Sequence, residues 1–278
     1  MGHPPPYRGP ARALGGFIAR FGVQDPITID SMIPKIPMST QVPEPHASGV
    51  TAGPLLARSF FGRPSSQVAP DLLGQVLEHD AAEGTVAVVL TEVEAYAGTL
   101  DAASHAYRGQ TRRNEVMFGA PGYAYVYFTY GMHFCVNLVC EPEGTASAVL
   151  LRAGRVIAGA EVAHARRAAK KVGAQRSGER DLARGPARLC QALAIDAALN
   201  GADICGPASS LRVRRGEQVP RGVIRSGPRT GVRGAAEVPW RFWICGEPTV
   251  SPYRAHTVRV RTAGQGVAVL RAPGTAST

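Results

Sequence analysis

Lysine is almost missing from this sequence: all but three of its 31 basic residues are arginine, the exceptions being Lys35, Lys170 and Lys171. A guanidinium stays protonated and cannot act as an amine nucleophile, so Schiff-base chemistry would fall to those three side chains. Cysteine is also sparse. Cys135, Cys140, Cys190, Cys205 and Cys245 are odd in number and form no C-x-x-C pair, which argues against a disulfide framework or a zinc site and for free thiols. The H-x-E and P-C-x-x-C signature of the zinc nucleobase deaminases is absent. No apolar run approaches the roughly 20 residues of a membrane-spanning helix, and the N-terminus lacks the basic-then-apolar layout of a signal peptide. The expected location is the cytoplasm, without membrane attachment.

What is present is positive charge on an ordinary globular composition. The formal net charge is +10 over 278 residues, with 45% hydrophobic residues. Such an excess favours an anionic partner, nucleic acid first and a membrane surface second. Arginine-, alanine- and glycine-rich composition also fits a GC-rich coding sequence, so charge alone does not name the partner.

Nine of the 22 prolines fall within the first 50 residues, which show no sustained periodicity. Residues 1–50 are therefore expected to be a disordered leader, or to lie upstream of the true start, with Met32 and Met38 as internal candidates. Folding is expected from Pro54, where "PLLARSFFG" has helical spacing. Strands are predicted at Leu72–Glu78, Thr85–Tyr96, Tyr123–Cys140 as a hairpin, Ser147–Ala153, Trp240–Cys245 and His256–Thr262. Helices are predicted at Val156–Lys171 and Pro186–Ala198, and residues 206–234 read as loops. The expected fold is mixed α/β (α+β): one domain over residues 51–262, built on a curved antiparallel or mixed sheet with a protruding hairpin and flanking helices. Residues 263–278 are expected to be a flexible tail.

Two stretches concentrate polar and aromatic groups. In "TEVEAYAG" (Thr91–Gly98), alternation puts Glu92, Glu94 and Tyr96 on one face of a strand that begins as core. By itself this reads as an amphipathic strand end with solvated acids. In "GYAYVYFTYGMHFCVN", Tyr130-Gly131 marks a turn and Tyr130 projects from its tip, where an aromatic needs a pocket of its own protein or of a partner. A two-residue loop would pair Thr129 with Met132 and set Tyr127 on the face opposite Asn137. A three-residue loop would pair Thr129 with His133, and Tyr125, Tyr127, Cys135 and Asn137 would share a face. Between the two stretches lie His105 and a basic cluster, Arg108, Arg112 and Arg113.

In this order and at these spacings, "EVEAY", "SHAYRGQTRRNEVMF", "YVYFTYGMHFCVN", "AVLLRA", "GPARLCQALAI" and "PWRFW" resemble the alkyladenine type of DNA glycosylase, the 3-methyladenine glycosylases outside the helix-hairpin-helix group. The resemblance runs from about Leu55 to Tyr253. It implies that Glu94 activates the attacking water and that Tyr96, His105 and Tyr127 enclose a flipped base. It further implies that Asn137 screens purine edges, that Tyr130 wedges into the duplex, and that Arg152 lies near the catalytic water and the phosphate. Arg108, Arg112 and Arg113 become candidate phosphate contacts. The sequence departs from the pattern in a shortened "RTGVRGAAEVPWRFW", with Gly234 where an aromatic is expected.

The chemistry of these residue types is consistent with that implication. A base must leave the stack before it can be cleaved, at a cost of a few kcal/mol, and an aromatic wedge offsets part of this. Glycosidic cleavage builds oxocarbenium-like charge, which a carboxylate can stabilise while taking a proton from water. The expectation is a monofunctional, metal-free and cofactor-free monomer acting on damaged purines in double-stranded DNA, in salt-sensitive fashion. Two alternatives are a catalytically silent DNA-binding module, opposed by Glu94, and a sugar glycosidase using Glu92 as second acid, opposed by the net charge. Outside that alternative Glu92 is left unexplained, a solvated neighbour being the simplest reading.

Overall fold

The structure, a computed structural model, describes residues 53–169, 178–260 and 268–270. The leader expected over residues 1–50 lies outside this set, as do all three lysines. Of the expected tail only Ala268–Leu270 (β10) is described; it pairs antiparallel with Val258–Val260 (β9) in a separate ribbon.

One antiparallel sheet organises the rest. Its strands are β1 (Val76–Ala81), β2 (Gly84–Ala97), β3 (Ala124–Thr129), β4 (His133–Cys140), β5 (Ser147–Ala158), β6 (Leu211–Arg214), β7 (Ile224–Gly227) and β8 (Arg241–Ile244). The order is β3-β4-β5-β2-β1-β6, with β8 also pairing β2 and β7 pairing β8. Strand β2 is the axis. One edge follows β5 along nearly its whole length, while the other pairs with β1 up to Val89 and with β8 at Glu92–Glu94. Its partners change where the chain turns from core to acid.

The pairing of β2 with β5 holds a local defect. Leu90 faces Gly154 and Val93 faces Leu151 in one register, but between them Glu92 faces Ala153, leaving Thr91 and Arg152 as extra residues on opposite strands. Two opposed bulges thus cancel. A bulge re-aims its side chain, and this one turns Arg152 toward both acids of β2.

One face of the sheet carries the main core, in which Val93, Ala95, Val136, Leu138 and Leu151 pack with Leu72 of α2 (Ser65–Leu72), Leu189 of α4 (Pro186–Ala192) and Leu193 just beyond it. On the other face a smaller cluster of Ala106, Met117, Tyr125, Val139 and Ala148 lies under residues 98–123. The second cluster borders the polar face of β2.

Several sequence expectations need correction. Helix α1 covers only Arg58–Phe61, because Pro64 restarts the chain as α2, and that helix takes Leu72, so β1 begins at Val76. The stretch from Val156 is strand up to Ala158, and α3 starts at Ala160 after Gly159. Gly159 has φ +71°, and a Cβ there would lie 2.1 Å from the carbonyl oxygen of Thr85; only glycine permits that crossing. Helix α4 stops at Ala192, ahead of Ala194 with φ +52°, and Asp196 caps a separate 3-10 turn at Ala197–Leu199. Residues 206–234 hold β6 and β7 rather than loops alone. In "LRVR" the buried Leu211 and Val213 alternate with Arg212 and Arg214, which reach Glu78 at 2.7 and 3.2 Å. Four residues are too few for that period to stand out.

The hairpin takes the three-residue form: Thr129 pairs with His133, Tyr127 with Cys135 and Tyr125 with Asn137.

Candidate active site

Glu94 is fully buried at the wall of a cavity of about 300 Å³. Each oxygen of its carboxylate is held. Oε2 accepts from the Tyr96 hydroxyl at 2.8 Å; Oε1 accepts from the Thr230 backbone N–H at 2.7 Å and lies 3.2 Å from a terminal nitrogen of Arg152. A carboxylate oxygen accepts two bonds comfortably. Oε1 is therefore filled, while Oε2 keeps one acceptor position among the described residues. Burial, then the charge of Glu94, push the Tyr96 phenol well above its ordinary range, so it remains a donor.

Glu92, unexplained by the sequence, is fully buried, which rules out the solvated reading. Its Oε1 accepts from Nε of Arg152 at 2.7 Å, Nε of Arg241 at 2.7 Å and the Ser251 hydroxyl at 3.0 Å, and Oε2 accepts from the Ser251 N–H at 2.6 Å. Burial alone would favour the neutral acid. The charges of Arg152 and Arg241 outweigh it and hold the group below the usual carboxylate range. Arg152 bridges the two acids; burial opposes its charge, but Glu94 and Glu92 prevail and raise its affinity for the proton.

A second buried ion pair fixes the loop that supplies Thr230. Arg229 binds Asp101 in a two-pronged pair, one contact being 2.8 Å, and donates to the Ala95 carbonyl at 3.0 Å. Its guanidinium lies over the rings of Tyr96 and Trp240, at 4.7 and 5.4 Å. Asp101 also accepts from the backbone of Ala97 and Ala103 at 3.2 and 3.0 Å.

Aromatic side chains form the rest of the wall. His105 meets Tyr127 edge-on at 4.5 Å between centroids, its Nδ1 is 3.1 Å from the Tyr125 hydroxyl, and Tyr125 stacks on Tyr127 at 5.5 Å. Burial, then the charge of Arg113, lower the His105 pKa, so the ring is neutral at pH 7. Asn114 ties the His105 loop together: it donates to the carbonyls of His105 and Gly109 at 2.9 and 3.1 Å and accepts from the Thr111 N–H at 2.6 Å. Asn137 is buried, with one amide hydrogen on the Tyr125 carbonyl at 3.3 Å.

The cavity brings together Glu94, Tyr96, His105, Tyr127, Tyr130, Asn137 and Arg152. None of the three basic candidates lines it. Arg108 borders an adjoining recess with Arg233 and Gly234, Arg112 is exposed, and Arg113 lies 6.0 Å from the Tyr127 ring centroid with a bond to the Phe128 carbonyl. Tyr130 occupies the hairpin tip with φ +51° and 85% exposure. At Gly234 a Cβ would lie 2.8 Å from both the Cβ and the carbonyl oxygen of Ala102. An aromatic at that place is sterically excluded unless the loop moves. Among the described residues no three His, Cys, Asp or Glu side chains group as metal ligands, and no helix is long and apolar enough to cross a membrane.

Sequence reasoning did not single out Asp101, Asn114, Arg229, Thr230, Arg241 or Ser251. Arg229 and Asp101 are 128 positions apart, and Glu92 and Ser251 159. Nothing in local pattern links such pairs.

With this geometry in place, a family model described as methylpurine-DNA glycosylase matches residues 59–248. A protein of Streptomyces avermitilis named "Putative 3-methyladenine DNA glycosylase" is 57% identical over 208 residues, covering 74% of this chain and 95% of its own length. Proteins of the same name from Leifsonia xyli and Burkholderia orbicola are 52% identical over 203 residues and 45% over 199, each covering 72% of this chain and 92% of its own.

Proposed function

Since the chain belongs to the methylpurine-DNA glycosylase family, whose members hydrolyse N-glycosyl bonds in DNA repair, we propose that Glu94 activates the attacking water. We also propose that the cavity beside it receives an alkylated or deaminated purine flipped from the duplex. The observation that carries this is the buried Glu94 carboxylate, fixed by Tyr96, Thr230 and Arg152 with one acceptor position of Oε2 left over. A water hydrogen-bonded there would be held for attack on C1′ as the base departs, and its proton would pass to Oε2. The same negative charge opposes the positive charge that develops on the sugar.

The cavity is at the small end for ligand sites and suits a single base. Tyr96, His105 and Tyr127 enclose the purine, and Asn137 offers polar discrimination at its edge. The substrates are 3-methyladenine, 7-methylguanine, hypoxanthine and etheno adducts. Base release from a panel of single-lesion duplexes tests this; release confined to undamaged or pyrimidine controls would refute it.

The enzyme hydrolyses without cutting the backbone. Schiff-base lyase chemistry needs an amine, and the chain has no lysine among residues 53–169 and 178–260. Borohydride trapping on lesion or abasic DNA is expected to leave no abundant covalent complex, and an abundant one would overturn this reading.

Tyr130 is the wedge that fills the gap left by the flipped nucleotide. Because it is so exposed, Tyr130→Ala should leave thermal stability unchanged. Losing one stacking surface worth about 1–3 kcal/mol should slow base release from paired duplex by roughly 10- to 100-fold, and much less from single-stranded DNA. Equal losses on the two substrates would refute the wedge.

A further inference from the structure

Glu92 does not line the cavity, yet it keeps a full charge in the interior, where an ion is costly unless it is paired and hydrogen-bonded. Among the described residues, every buried Asp, Glu or Arg except Arg167 belongs to one cluster: Glu92, Glu94 and Asp101 against Arg152, Arg229 and Arg241. The formal charges sum to zero.

The groups that face Glu94 can be set out by element. Tyr96 comes from β2, Tyr127 from β3, Cys135 from β4 and Arg152 from β5, while the loop after β7 brings Arg229 and the Thr230 N–H. The two phenols and the thiol are neutral, and Asp101 cancels Arg229. Of the other groups lining the cavity, His105 is neutral and Arg233 is exposed, where solvent screens it. That leaves Arg152, which touches Glu94 directly, and behind it Arg241 from β8, which touches Glu92. Without Glu92, one carboxylate would face two guanidiniums. Such a carboxylate is a poor base and presents little negative charge to a cationic sugar.

We propose that Glu92 is a positioning residue that sets the charge balance at Glu94: it holds Arg152 in the bulge of β5 by Nε and cancels the cationic excess, so that Glu94 keeps its basicity toward water. This rests on the reading of Glu94 as the water-activating group. It also accounts for the burial of two acids two residues apart although only one touches the cavity.

The test is single-turnover base release against pH on a duplex carrying 7-methylguanine, whose cationic base leaves without protonation. Glu92→Gln adds net positive charge near Glu94, and the acidic limb of the profile should move down by about one pH unit, with the plateau rate reduced about tenfold. Arg241→Gln removes positive charge, and the limb should move up by a similar amount. The double variant restores the balance and should return the limb to the parent position. Affinity for duplex containing an abasic analogue should change by less than about threefold in all three. A purely structural role predicts lower melting temperatures and weaker binding without opposed limb shifts. Shifts of the same sign, or none, overturn the proposal. Should the single variants fail to fold, a displaced limb in the charge-balanced double variant still overturns the proposal. Glu94→Gln separates the two levels. If that variant still releases base, water activation by Glu94 falls; if it is inactive while the limbs stay fixed, only the role of Glu92 falls.

Discussion

Glu94→Gln is expected to abolish most base release, lowering the single-turnover rate by at least about 10²- to 10⁴-fold, the span of a lost general base. Loss of the charge opposing the oxocarbenium adds to this. The substitution is nearly isosteric, and its hydrogen bonds can be rebuilt. The amide oxygen can take the place of Oε1 toward the Thr230 N–H and Arg152, while the amide nitrogen donates to the Tyr96 hydroxyl, which turns from donor to acceptor. The fold and the cavity should therefore survive. Removing a negative charge does not weaken attraction to phosphate, so binding of lesion DNA should be retained or improved. The result is a protein that captures damage without excising it, seen as a stable shift in gel or anisotropy measurements with no free base. Excision within tenfold of the parent would remove Glu94 from the chemistry.

Asp101→Asn is expected to be the most damaging single substitution for stability. Asp101 accepts both prongs of the fully buried Arg229 and two backbone N–H groups. An asparagine would turn an amide toward those donors and leave the guanidinium uncompensated. Removing one partner of a buried pair costs about 3–5 kcal/mol, and for a domain of this size that lowers the melting temperature by roughly 6–20 °C. Activity should fall as well, even below the melting transition, because the loop that loses its anchor carries the Thr230 N–H bonded to Glu94. Scanning calorimetry on parent and variant checks the first claim and single-turnover release the second. A drop below about 3 °C would show that the pair contributes little. A variant as unstable as expected yet fully active would disconnect the loop from Glu94.

The parts of the protein legible in the sequence are those with a local period. The alternation of "TVAVVLTEVEAY" and of the tyrosine hairpin locates β2, β3 and β4, and counting across the turn shows that only a three-residue loop puts Tyr127 and Asn137 on one face, as Thr129 and His133 then realise. Glu94, Tyr96, Tyr127, Asn137 and Arg152 meet around one cavity because they sit on neighbouring strands of that sheet, and His105 and Tyr130 reach it from a loop and the hairpin turn. What stays hidden is partnership at long range. Alternation places Glu92 beside Glu94 but cannot say that β8 and Ser251 will close over it, and so it reads as solvated. Arg229 and Asp101 look like ordinary loop charges until the fold removes water from both. Short strands such as β6 fail for another reason: four residues give two periods, and arginines that reach acids on the next strand look like solvated charge.

The two opposed bulges between β2 and β5 have a consequence for how such a site changes over generations. Because they cancel, the ladder on either side runs in one register, and the irregularity that aims Arg152 at both acids occupies a single rung. The sheet does not have to be re-paired for that rung to be altered. It behaves as a cassette whose charges must change together: a lineage that exchanged its acids and arginines for neutral side chains as a set would keep the surrounding pairing, whereas loss of one alone would strand a buried charge.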